Sequence, residues 1–135
     1  MDERQRRAVW SFISDRTPRP LAGELLSFDL TNEVSALRDE AGLSKGHNGR
    51  TLLKLGALRV VLVTLDAGAS IQEHLSTEPL AFHPQRGHLL LRRGEDVVHL
   101  RPEQLAAVNR GVSYTLEAVE DSALLIWVGW EEPGA

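Results

Sequence analysis

Cysteine is absent from the chain, which excludes a disulfide framework, a thiolate zinc site and a cysteine nucleophile together. Aromatic residues are scarce at 5%, with one tyrosine and three tryptophans. No apolar run approaches the roughly 18 residues that a membrane-spanning helix needs, so no membrane partner is expected. An excess of positive charge is lacking too. Fifteen Lys and Arg against nineteen Asp and Glu leave a net −4, which argues against nucleic acid as the main partner. The opening Met1-Asp2-Glu3-Arg4 starts no signal peptide, and a cytoplasmic protein is the expectation. What the chain does have is 42% hydrophobic and 25% charged residues over 135 positions, enough for one folded domain with a sizeable core.

The chain divides into a helical front, residues 1–45, and a strand-rich back, residues 46–135. In the front, Asp2 and Gln5 are spaced as in a capping box, and Val9, Phe12 and Ile13 recur at helical spacing beside Trp10. Arg4, Arg7 and Asp15 take the opposite face, and Pro18 and Pro20 end this first helix. A second helix is predicted from near Thr31 to about Gly42, with Val34 and Leu37 inward. Residues 43–50, including His47, read as a glycine-rich turn. After it come nine short runs rich in Val, Leu and Ile, at about 51–55, 58–65, 70–75, 79–84, 87–92, 95–100, 105–108, 112–118 and 122–130. Gly56, Gly68, Gly87, Gly94, Pro102 and Gly111 punctuate them. No helical stretch intervenes, so an all-β, antiparallel double-sheet barrel or sandwich is expected, with one or two N-terminal helices.

The punctuation resembles that of small single-domain cupins, whose fold is a jelly-roll barrel. Gly68, the five residues Ala69 to Glu73, then His74 and the later Gly87 follow the outline of a first cupin motif, G-x5-H-x-H-x3,4-E-x6-G. Gly111 sits at the second glycine of the second motif, G-x5-P-x-G-x2-H, and Tyr114 stands where its histidine belongs. Glu103 and Asn109 replace that motif's first glycine and its proline. The resemblance covers about 110 residues. Carried across by position, the four metal-ligand sites of metal-dependent cupins become His74, Ser76, Leu80 and Tyr114. Serine and leucine contribute little or nothing to a transition metal, so no metal and no cofactor are expected in the barrel. His83, His88 and His99 share outward parity on their strands and are expected on outer sheet faces.

The resemblance therefore implies a barrel mouth lined by His74, Ser76, Leu80, Phe82 and Tyr114, with Gln72 close by on parity. Its expected use is binding of a small organic ligand, by a protein that pairs as a homodimer through a sheet face. A second reading makes His74 and Tyr114 an acid–base pair for metal-independent isomerase or epimerase chemistry, since imidazole accepts a proton near neutrality and a phenol donates one. A metalloenzyme with unorthodox ligands and a purely structural docking protein are the remaining alternatives. Arg4, Arg6 and Arg7 read as a solvated helix face, and Trp127 and Trp130, three apart on one strand, are sent to opposite faces.

Overall fold

Each of the nine apolar runs in the back of the chain becomes a strand. The computed structural model describes residues 21–40, 46–73 and 77–129, together with the backbone of residues 13–14. The nine strands are β2 (His47–Leu55), β3 (Leu58–Leu65), β4 (Ser70–Glu73), β5 (Leu80–Arg86), β6 (Leu89–Arg93), β7 (Asp96–Leu100), β8 (Ala106–Val108), β9 (Tyr114–Ala118) and β10 (Ser122–Gly129). A two-residue strand β1 (Ile13–Ser14) and a helix α1 (Leu30–Glu40) precede them. One sheet runs β1-β2-β3-β10-β5-β8 and the other β4-β9-β6-β7. Apart from β1, which lies parallel to β2, the pairings are antiparallel.

Two departures from the sequence expectations concern the front. Ile13 and Ser14 are not helical; they pair with Gly49 and Arg50 and extend the six-stranded sheet. An edge strand offers unpaired backbone groups that outweigh a short segment's helical periodicity. The remainder of that predicted helix, with Trp10 and Phe12, lies outside the described residues. His47 belongs to β2, half-buried opposite Leu65, and not to a solvated turn. The second helix is present and begins one residue earlier than expected. Asp29 caps it, its carboxylate accepting the Asn32 backbone N–H at 3.2 Å.

β3 is buried along nearly its whole length, and the reason is that both its faces are covered. Val61, Val63 and Leu65 point between the sheets, where they join Phe82, Leu89, Leu116, Leu124 and Ile126 in the main core. Val60 and Leu62 point outward and meet Val34 and Leu37 of α1, with Ala123 and Leu125 of β10. The helix is also held by polar contacts. Arg50 pairs with Glu33 and Glu40, and Arg38 donates to the Ser122 carbonyl at 3.0 Å. Burying Val34 and Leu37 contributes roughly 1.5–3 kcal/mol each.

Two backbone positions confirm the alignment of the loops. Glu103 has φ 76°, the one left-handed non-glycine among the described residues, and it stands where the second cupin motif has a glycine. Gly87 has φ 88°, and a Cβ there would fall 2.2 Å from Ser122 Oγ and 2.5 Å from the Asp121 carbonyl oxygen. Gly94 also lies at positive φ, 58°, but has open space where a Cβ would go. We expect Gly94→Ala to cost about 1–2 kcal/mol, the left-handed penalty alone. Gly87→Ala should cost roughly 1–3 kcal/mol more, because packed backbone must also shift. Urea unfolding midpoints of the two variants check the difference; equal midpoints would contradict it.

Candidate functional site

Among the described residues, the core between the sheets is built of apolar side chains, and a carboxyl–phenol pair stands beside it. At the end of the β4–β9 pairing Glu73 faces Tyr114, and both side chains turn inward, 5% and 3% exposed. The Tyr114 hydroxyl donates to Glu73 Oε2 at 2.6 Å. That length is typical of a strong O–H to carboxylate hydrogen bond. Phe82, from the opposite sheet, sets its ring against Tyr114 edge to face, with centroids 5.4 Å apart. Leu80 belongs to the same interior cluster, as do Leu89 and Leu116.

The electrostatics of the pair follow from its surroundings. Burial pushes the Glu73 carboxyl above its ordinary value, and the Tyr114 hydrogen bond opposes part of that rise. Burial, and then the facing carboxylate, drive the Tyr114 phenol far above the usual tyrosine range. Tyr114 therefore stays neutral and serves Glu73 as a donor. It is a weak acid in this setting.

Of the residues expected at the barrel mouth, the structure brings Leu80, Phe82 and Tyr114 together in the interior. His74 and Ser76 lie outside the described residues. Gln72 is a correction: it is exposed, and its neighbour Glu73 takes the inward place. The cause is a one-residue slip in parity along β4, since adjacent strand residues face opposite ways. The signal was available in Ile71, whose large apolar side chain marks the inward set of β4 and hence includes Glu73. Glu78, two residues before β5, was also missed and is buried.

The histidines after the loop take outer positions. His83 is half-buried on β5, its Nδ1 3.3 Å from Gln85 Nε2. His88 and His99 meet on the outer face of the four-stranded sheet. Trp127 lies on the outer face of the other sheet, 39% exposed; Trp130 lies outside the described residues. Beside Trp127 a cleft of about 590 Å³ opens between Leu58, Pro79, Ala81, Ala107 and Asn109. Among the described residues no ionisable side chain lines it, and neither Glu73 nor Tyr114 is among its walls.

The overall fold is similar to that of many solved structures. A conserved Streptococcus pyogenes protein of unknown function is 20% identical, matched over 88% of this chain and 99% of its own, with a TM-score of 0.65. A cupin-2 domain containing protein from Shewanella frigidimarina is 13% identical over 76% of this chain and 93% of its own, at 0.62. A variant of salicylate 1,2-dioxygenase from Pseudoaminobacter salicylatoxidans is 17% identical over 93% of this chain and 42% of its own, at 0.67. The fold is the cupin fold. No protein-family model matches the sequence, and no curated protein matches it. Among the described residues, no helix of this cupin-fold chain is long and apolar enough to cross a membrane.

Replacing either partner of the buried pair separates hydrogen bonding from charge. Tyr114→Phe leaves the Glu73 carboxyl without its donor and should cost about 1–3 kcal/mol at neutral pH. Glu73→Gln keeps an acceptor for the hydroxyl and should cost less. Because the folded state holds the Glu73 proton more tightly than the unfolded chain, its contribution is fully present below the unfolded value of 4.5. It is lost as pH rises through the folded value. Stability of Glu73→Gln, measured against pH, should therefore fall less above 4.5 than that of the wild type.

Proposed function

We propose that this cupin-fold protein binds a small organic ligand at the barrel mouth, through Glu73 and Tyr114, without the four-ligand metal centre. The observation that carries the reading is the Tyr114–Glu73 hydrogen bond, a buried polar pair against the apolar core of the described residues. A hydroxyl that donates to Glu73 keeps its lone pairs for a donor on the ligand, and Leu80 and Phe82 supply apolar contact beside it. Hydroxylated or amine-bearing compounds suit such a pair. His74 and Ser76 remain candidates for the same site.

Donor chemistry supports the absence of the metal. Leu80 offers hydrocarbon at one ligand position, and Tyr114 at another is a neutral phenol engaged by Glu73. The same hydrogen bond weighs against Tyr114 as the acid of an isomerase, since its proton is held by a carboxylate in a dry setting.

The test is a thermal-shift screen of the wild type, Tyr114→Phe and Glu73→Gln against small sugars, hydroxy acids and amines. A ligand at a hundred times its Kd should stabilise the wild type by about 2.7 kcal/mol. That gain should shrink in both variants. Ligands that stabilise all three proteins equally would remove the site from consideration, and so would a screen without hits.

A homodimer belongs to the same proposal, with Leu58 and Trp127 on the uncovered end of the six-stranded sheet as its apolar contact. A cytoplasmic setting is proposed too, consistent with a chain that has no cysteine to pair. Light scattering at micromolar concentration should give twice the chain mass, and Trp127→Glu should reduce it to one. A wild-type monomer would contradict this part.

A further inference from the structure

We propose that His88 and His99 form a two-histidine chelate for copper(II), on the outer face of the four-stranded sheet and apart from the barrel interior. Nothing in the ligand-binding proposal requires this site. Its two nitrogens, His88 Nε2 and His99 Nδ1, are 2.9 Å apart, with ring centroids separated by 5.1 Å and a 34° tilt between the rings.

The frame that carries them is rigid. His88 directly precedes β6, its N–H donating to Ser122 Oγ at 3.1 Å and its carbonyl accepting the Val119 N–H at 2.9 Å. Gly87, tight against Asp121 and Ser122, leaves that backbone little room to move. His99 lies on β7, paired with Leu90 in the same sheet. His88 is therefore held by its hydrogen bonds to Ser122 and Val119 and His99 by strand pairing, so that mainly side-chain torsions remain to adjust.

The spacing selects the ion. Nitrogens about 2.05 Å from a common metal and 2.9 Å from each other subtend roughly 90°. A tetrahedral zinc site would want them about 3.3 Å apart. The right angle suits the tetragonal geometry of copper(II) and nickel(II) with nitrogen and oxygen donors, and copper(II) heads the affinity series. Water fills the remaining positions, because His99 is exposed.

Neutral imidazole is the ligating form. The hydrogen now shared between the two nitrogens passes to the outer nitrogen of the ring that carries it, so a change of tautomer frees both lone pairs without net proton loss.

Untagged full-length protein titrated with copper(II) chloride, followed by calorimetry and electron paramagnetic resonance, tests the site. The expected result is one equivalent bound, with a nitrogen hyperfine pattern from two imidazoles. His88→Asn and His99→Asn should each weaken binding by more than the roughly 10–100-fold that loss of an outer-shell partner costs. His47→Asn and His83→Asn should leave it unchanged. Zinc(II) should bind more weakly than copper(II). If His88→Asn proves unstable, His99→Asn at its exposed strand position carries the test alone. The proposal is overturned by a wild type that binds no copper, by zinc(II) binding at least as tightly as copper(II), or by copper binding that is indifferent to His99→Asn.

Discussion

The long antiparallel pairing of β3 with β10 organises this molecule. It runs without a break from Leu65 opposite Ser122 to Leu58 opposite Gly129. Because successive side chains face opposite ways, this one register divides the apolar residues of both strands into two sets. Val61, Val63, Leu124 and Ile126 serve the space between the sheets; Val60, Leu62, Ala123 and Leu125 serve α1. A slip of one residue would exchange the sets and leave both cores unfilled. The turn through Asp121 and Ser122 depends on the same register, since Ser122 Oγ there accepts the His88 N–H and its own hydrogen goes to the Glu120 carbonyl.

Within that frame the core meets a buried polar pair at the Glu73–Tyr114 rung. An isolated buried carboxylate is costly, and two responses are open to it: a partner or a proton. Glu73 uses both in part, since Tyr114 donates to it while burial raises its affinity for a proton. A phenol and a carboxyl together make a neutral to singly charged pair. The rest of the interior packs closely, and Phe82 against Tyr114 links the two sheets at that point.

The outer faces are used differently. α1 covers the Val60 and Leu62 end of the six-stranded sheet, and among the described residues Trp127 at the other end is exposed. The four-stranded sheet turns a mixed surface outward, on which Arg92 and Glu117 form a loose ion pair of 3.6 Å between half-exposed side chains. Such a pair contributes at most about 1 kcal/mol. Burial and register hold this sheet, and its surface is left free to carry chemistry.

Much of this was legible in the order of residues alone. Glycine punctuation and apolar runs located nine strands, because backbone alternation and turn geometry are local properties. The second helix announced itself through Val34 and Leu37, one turn apart. Leu80 and Tyr114 were placed on one interior by motif spacing, and Phe82 by strand alternation with Leu80. Tertiary structure decided what depends on distant partners. Ile13 and Ser14 are strand because β2 offers an edge 36 residues away (Ile13 to Gly49), which no local periodicity reveals. Glu73 became a site residue because Tyr114, 41 positions later, lies across from it. His88 and His99 read separately as surface histidines; only the β6–β7 hairpin sets their nitrogens side by side. Side-chain alternation is written in the sequence, but which strand lies beside which is settled by closing the whole sheet.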